Sequence, residues 1–231
     1  MAFNKSIRCF LITLIFSYTL FGQNVIIDLM PDTLIAKKIR CSCNIDSYKI
    51  KIIEQKVEIN TSPSYMASEI CNYTYMGLYL ASHELKINLI ESLLTYENDS
   101  TKVCLEVKNY SSKKISPVIS RKYSVQIDAL YHINFICFDY QALTYSPCPV
   151  LIDTVTNEEI NFSSKKITEV YRIYKQWFNE SKKNDFKNFH FPLLNSRYRW
   201  KDGINKAVMV SELPYGPSKK LDPLGLPKSD L

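Results

Sequence analysis

Apolar positions crowd together between Val125 and Tyr140, in the run VQIDALYHINFICFDY. Wound as a helix, Val125, Ala129, Ile133, Ile136 and Tyr140 fall on one face, and Ile127, Tyr131, Phe135 and Phe138 on a second. Such a helix is wetted only along narrow strips and belongs inside a domain. Read as a strand, its odd positions from Val125 to Phe135 are apolar and its even ones polar except Leu130. Strands usually stop at about 5–6 residues, so the length of the run predicts a helix. The same period predicts another over Lys165–Ser181, capped by Ser163 or Ser164. There Ile167, Val170, Tyr171, Ile173, Tyr174, Trp177 and Phe178 form one broad stripe, which reads as core rather than as a ligand shelf.

Two further helices are expected, over Leu85–Tyr96 and over Tyr65–Glu84 behind a Ser64 cap, although Gly77 weakens the latter by about 1 kcal/mol. Thr101–Tyr110 reads as a short amphipathic piece. Asn24–Lys38 reads as an extended piece followed by a helical turn after Pro31. Strand patterning is clearest in Tyr48–Ile53, and Val57–Ile59 repeats it across Glu54-Gln55-Lys56, which predicts a β-hairpin. The expected fold class is therefore mainly α (α+β): an N-terminal β-hairpin followed by packed antiparallel helix pairs, which when stacked form a small α-superhelix.

The first residues change where such a fold is expected to work. Lys5 and Arg8 precede the apolar run Cys9–Phe21, the charged and apolar parts of a secretory signal peptide and too short for a membrane span. The expected organisation is a signal peptide over 1–22, a hairpin region over 23–60, a helical domain over 61–200 and a Pro/Gly-rich tail over 201–231. The mature protein is expected to be soluble and secreted or periplasmic, with no membrane-spanning segment after cleavage. Six cysteines follow the leader, at 41, 43, 71, 104, 137 and 148, so in an oxidising compartment up to three disulfides in any of fifteen connectivities are possible, while buried reduced cysteines beside one or two bridges is the plainer reading. Cys41 and Cys43 are too close to pair comfortably with each other, so each needs a distant partner.

The net charge of +6 is spread along the chain without a basic block, which argues against nucleic acid as a partner. Sixteen tyrosines and eleven phenylalanines against five glycines suit packed helices better than a turn-rich sandwich. The cysteines and histidines lack zinc spacing, and no metal or cofactor is expected. Nucleophile-elbow, zinc-protease, phosphate-loop and dinucleotide motifs are all missing.

The candidate chemistry is a polar stripe on the central helix. Asp128 and His132, four apart, share a face, and Asp139 joins them if the helix continues. A carboxylate beside an imidazole can orient a general base or a metal-binding histidine, but a satisfied polar seam explains the same residues. His83 and Glu84, being adjacent, do not face each other on a helix. Arg197, Tyr198, Arg199 and Trp200 could hold an anion by guanidinium forks over aromatic faces; a segment closing the core explains them too.

The segments VQIDALYHIN (Val125–Asn134), KKITEVYRIYKQWF (Lys165–Phe178) and FPLLNSRYRW ending at Trp200 resemble a family of uncharacterised exported bacterial proteins. The resemblance implies an extracytoplasmic bacterial protein and no chemistry. The first functional expectation is thus a non-catalytic exported module that binds another protein or a surface polymer. The alternative is a hydrolase with His132 as base or metal ligand, oriented by Asp128. A third is a structural protein that depends on its disulfides.

Overall fold

The computed structural model describes residues 33–41, 44–55, 68–69, 81–108, 119–204 and 209–214. The predicted signal peptide, the predicted strand at Val57–Ile59 and most of the helix predicted for Tyr65–Glu84 lie outside these residues.

The chain has an α+β fold with an N-terminal hairpin, helices and a second small sheet. Strand β1 (Thr33–Cys41) pairs antiparallel with β2 (Asn44–Gln55), and Leu34 and Ala36 point into the core while Ile35 and Lys37 point out. The hairpin is therefore joined through residues 42–43 and not at Glu54–Lys56 as predicted. Thr33–Lys38 is strand, not a helical turn after Pro31. Strand β3 (Ser68–Glu69) adds to β2 through Ile53↔Glu69, inside the stretch expected to be helical. Pairing with a long neighbouring strand overrides the local helical pattern there.

Helix α1 (His83–Leu94) is capped by Ser82, whose hydroxyl accepts the Leu85 N–H at 3.2 Å. Helix α2 (Val125–Phe138) forms where the apolar run predicted it, and every residue of it except Phe135 is buried. A 3₁₀ turn (Asp139–Gln141) leads to the short α3 (Ala142–Tyr145). Helix α4 (Ser164–Lys183) turns its predicted stripe onto α2. There the Tyr171 hydroxyl donates to the Gln126 carbonyl at 2.7 Å, and Trp177 lies 6.4 Å from Phe138. The span expected to form the helical domain also contains a sheet. Strand β4 (Leu151–Asp153) sits between β5 (Glu158–Glu159) and β6 (Tyr198–Trp200), both antiparallel to it.

The predicted tail packs onto the domain as far as it is described. Gly203 passes so close to α3 that a Cβ there would lie 1.9 Å from the Tyr145 carbonyl oxygen, so only glycine fits. Farther on, Leu213 is buried in the core and the Lys86 ammonium donates to the Pro214 carbonyl at 2.5 Å.

A disulfide joins Cys41 at the end of β1 to Cys104 in the loop after α1, 63 residues apart in sequence. Closing a loop of that length stabilises a fold by about 4 kcal/mol in the chain-entropy account. Reduction, or the pair Cys41→Ala and Cys104→Ala, should therefore lower the denaturation midpoint steeply; a midpoint unchanged by dithiothreitol would show that the bridge is dispensable. Cys137 and Cys148 are buried free thiols. Burial raises both, Cys148 to about 12, so neither is a ready thiolate.

Candidate functional site: a groove beside helix α4

The Asp128–His132 stripe forms on α2, but as an internal latch. Asp128 is fully buried, and its Oδ2 accepts the backbone N–H of Ile50 at 3.0 Å, tying α2 to β2. His132 Nε2 lies 3.8 Å from the same oxygen, beyond hydrogen-bond distance, and the residue is only 4% exposed. Burial pushes the imidazole down to about 3, so it is neutral at ordinary pH. Asp139 leaves the stripe, because α2 ends at Phe138 and the backbone turns to φ 48°. Its charge bears instead on Lys86, which burial lowers to about 8 against the opposing pull of Cys137 and Asp139. His83 pairs with Asp185 at 3.2 Å rather than with its neighbour Glu84. Among the described residues there is no cluster able to hold a metal ion.

An opening lies elsewhere. After α4 the chain doubles back beside it from Lys187 to Tyr198, enclosing a groove of about 710 Å³. Three ties set this course. The Phe186 N–H donates to the Ser181 carbonyl at 2.7 Å, the Trp177 indole N–H donates to the His190 carbonyl at 2.6 Å, and the Tyr198 hydroxyl donates to the Glu169 carboxylate. The contacts step back along α4, so the segment runs antiparallel to it. Trp177, Phe191 and Pro192 line the groove as buried apolar floor. Along one wall Arg172, Gln176 and Glu180 recur every fourth residue and are exposed, a polar row on one helix face. The far wall carries the exposed Asn188, Asn195 and Arg197. From Glu169 to Asn184 the groove follows the helix for about 20 Å, at the usual helical rise.

Most of the charge in the groove is already engaged. Arg197 grips Asp153 with its Nε and Nη2 at 2.8 and 2.7 Å. That fork, with Lys166 beside it, holds the Asp153 carboxyl well below the usual carboxylate range. Glu180 accepts from the Gln176 amide at 2.9 Å, and Glu169 from Tyr198. Arg172 makes no ion pair among the described residues, and Lys187 only a loose one, 3.7 Å from the exposed Asp185. The anion clamp that Arg197–Trp200 could have formed is therefore not assembled, and the alternative of a segment closing the core fits the buried Tyr198 and Trp200. Arg197 is committed to Asp153, and Tyr198 and Trp200 are buried. In the antiparallel strand β6, Arg199 faces the side opposite to both. Arg172, Gln176, Glu180 and the three asparagines of the groove carry no motif. In the sequence they read as an ordinary wetted face and an irregular connection.

Residues 81–201, more than half of the chain, match a protein family described as a domain of unknown function, DUF4943. The chain belongs to that family. The DUF4943 region runs from just before α1 to just past β6, so it holds both the Asp128–His132 latch and the whole groove, while β1–β3 lie outside it. No curated protein and no solved structure matches the chain significantly. No helix among the described residues of this DUF4943 protein is long and apolar enough to cross a membrane.

Proposed function

We propose that this DUF4943 protein is an exported, non-catalytic module that binds a protein or a surface polymer in the groove beside α4. One observation carries the reading: a long trough with an apolar floor and polar walls, opened by the return of residues 187–198 along α4. Export is supported by the Cys41–Cys104 bridge, since disulfides persist in oxidising compartments, and by the charged and apolar pattern of Lys5–Phe21. The stacked-pair packing proposed for the helices is supported by α1, which touches both α2 and α4.

The hydrolase alternative has less behind it. His132 is 4% exposed and does not line the groove.

Ile173 is half-buried on the groove side of α4, and a tryptophan there fills the trough while keeping the helix intact. Retention of the purified protein on peptidoglycan sacculi, alginate and gelatin tests the reading. The wild type should be held by at least one of them, and Ile173→Trp, with an unchanged melting temperature, should lose about tenfold or more of that affinity. Equal retention of both proteins, or retention of neither, would overturn it.

A further inference from the structure

We infer that residues 209–214 are a releasable strap, docked on the far wall of the groove, and that its docking fixes where that wall stands, whatever the groove holds. The strap lies antiparallel to the wall, with Val210 opposite Phe189. Its release moves one side of the groove and leaves the other, α4, in place.

The wall begins in backbone that has to be held. Asp185, Phe186 and Asn188 lie at φ 52°, 49° and 53°, a left-handed region that residues other than glycine adopt at a cost. Such backbone persists only where its surroundings fix it. Phe186 is fixed by its buried ring and by its bond to the Ser181 carbonyl. Farther along, the His190 carbonyl is tied to the Trp177 indole on α4. Between those two anchors the strap does the fixing. The Asn188 N–H donates to the Ser211 carbonyl at 2.9 Å, the Phe189 N–H to the Val210 carbonyl at 3.0 Å, and the Val210 N–H to the Phe189 carbonyl at 2.9 Å. Lys187 bonds back only within its own turn, to the Asn184 carbonyl.

The strap itself is lightly held. Of its residues only Leu213 is buried, while Met209, Ser211 and Glu212 are exposed. A segment with so little buried apolar surface opens locally far more readily than α2, nearly all of which is buried. The last anchor of the strap also carries a cost. Lys86 donates to the Pro214 carbonyl at 2.5 Å from a site only 1% exposed, and that burial lowers the group to about 8. Release returns the ammonium to water and recovers the hydration that docking gives up. With the strap off, Asn188 and Phe189 lose their partners and the wall draws away from α4 as far as the His190 tie allows. The Asn184 end of the groove then widens, while the end held by Tyr198 and Glu169 keeps its shape. The strap lies past residue 201, where the DUF4943 match ends, so the wall belongs to the family region and its fastening does not.

Native-state amide hydrogen exchange on the full chain tests this, in the wild type and in two variants. Val210→Pro removes the N–H that donates to Phe189, and Leu213→Ser removes the one buried side chain of the strap. In the wild type the amides of Asn188, Phe189 and Val210 should exchange together, at least about a hundredfold faster than Leu130 and Ile133 of α2. In either variant Asn188 and Phe189 should lose at least about a further tenfold of protection, with Leu130 and Ile133 within about twofold of the wild type. Asn188 and Phe189 protected as before in both variants would mean that something other than the strap holds the wall. Wild-type exchange at the rate of α2, or an equal loss at Leu130 and Ile133 in the variants, would mean that strap and core open as one, and the strap would not be releasable.

Discussion

Lowering the pH from 7 to 4 is expected to take about 3 kcal/mol of folding stability from this protein through His132 alone. Its buried imidazole is held down to about 3, whereas in the unfolded chain it titrates near the ordinary value of about 6.5. Between those two values the unfolded state binds a proton that the folded state refuses. Stability therefore rises with pH across that window and is lost as pH falls through it. Each unit of difference is worth about 1.4 kcal/mol, and the interval from about 6.5 down to pH 4 gives the figure stated. Urea denaturation of the wild type and of His132→Gln at both pH values isolates the effect, because the other acid-titrating groups are common to both. The wild type should lose about 3 kcal/mol more than the variant; equal losses would mean that His132 is hydrated and protonatable in the native protein. The outcome also bears on the hydrolase alternative, since a general base that stays neutral to pH 3 is poorly matched to work near neutrality.

Trp200→Ala is expected to be the most damaging single change among the packed rings of the core, costing about 3–5 kcal/mol. The indole is fully buried and lies 5.5 Å from the Tyr131 ring on α2. Its N–H donates to the Tyr174 hydroxyl at 3.0 Å, and that hydroxyl donates in turn to the Asn134 side chain at 2.8 Å. One side chain of β6 thus links α2 and α4. Alanine would leave a void and remove a donor from a relay that is closed to water. Trp200→Phe keeps most of the volume and loses only the hydrogen bond, so it should cost about 1–2 kcal/mol. A Trp200→Ala melting temperature within a degree or two of the wild type would refute the central role assigned to this ring.

How far these features could be read from the sequence depends on the range of the forces behind them. The central helix and α4 were legible because their periodicity is local: Val125–Phe138 is too long for a strand, and the Ile167–Phe178 stripe repeats at helical spacing. The hairpin was legible as a hairpin but placed one strand too late. The sequence between its strands lacks the Asn-Gly or Asp-Gly that marks tight connections, and Lys37-Lys38 breaks the alternation of β1. Asp128 and His132 share one face as their spacing predicts, but their burial is not written in that spacing, and Asp128 is bonded to Ile50 of β2, some 78 residues away along the chain. The groove was the least legible part. Arg172, Gln176 and Glu180 become a wall only because Phe186 folds back on Ser181 and sends the chain along α4 again.

The bridge from Cys41 to Cys104 crosses the border of the DUF4943 match, with one sulfur before residue 81 and the other after it. The hairpin and the helical region are thereby one covalent body even without the backbone between Gln55 and Ala81. A protease that cut there would leave both fragments travelling together until a thiol parted them.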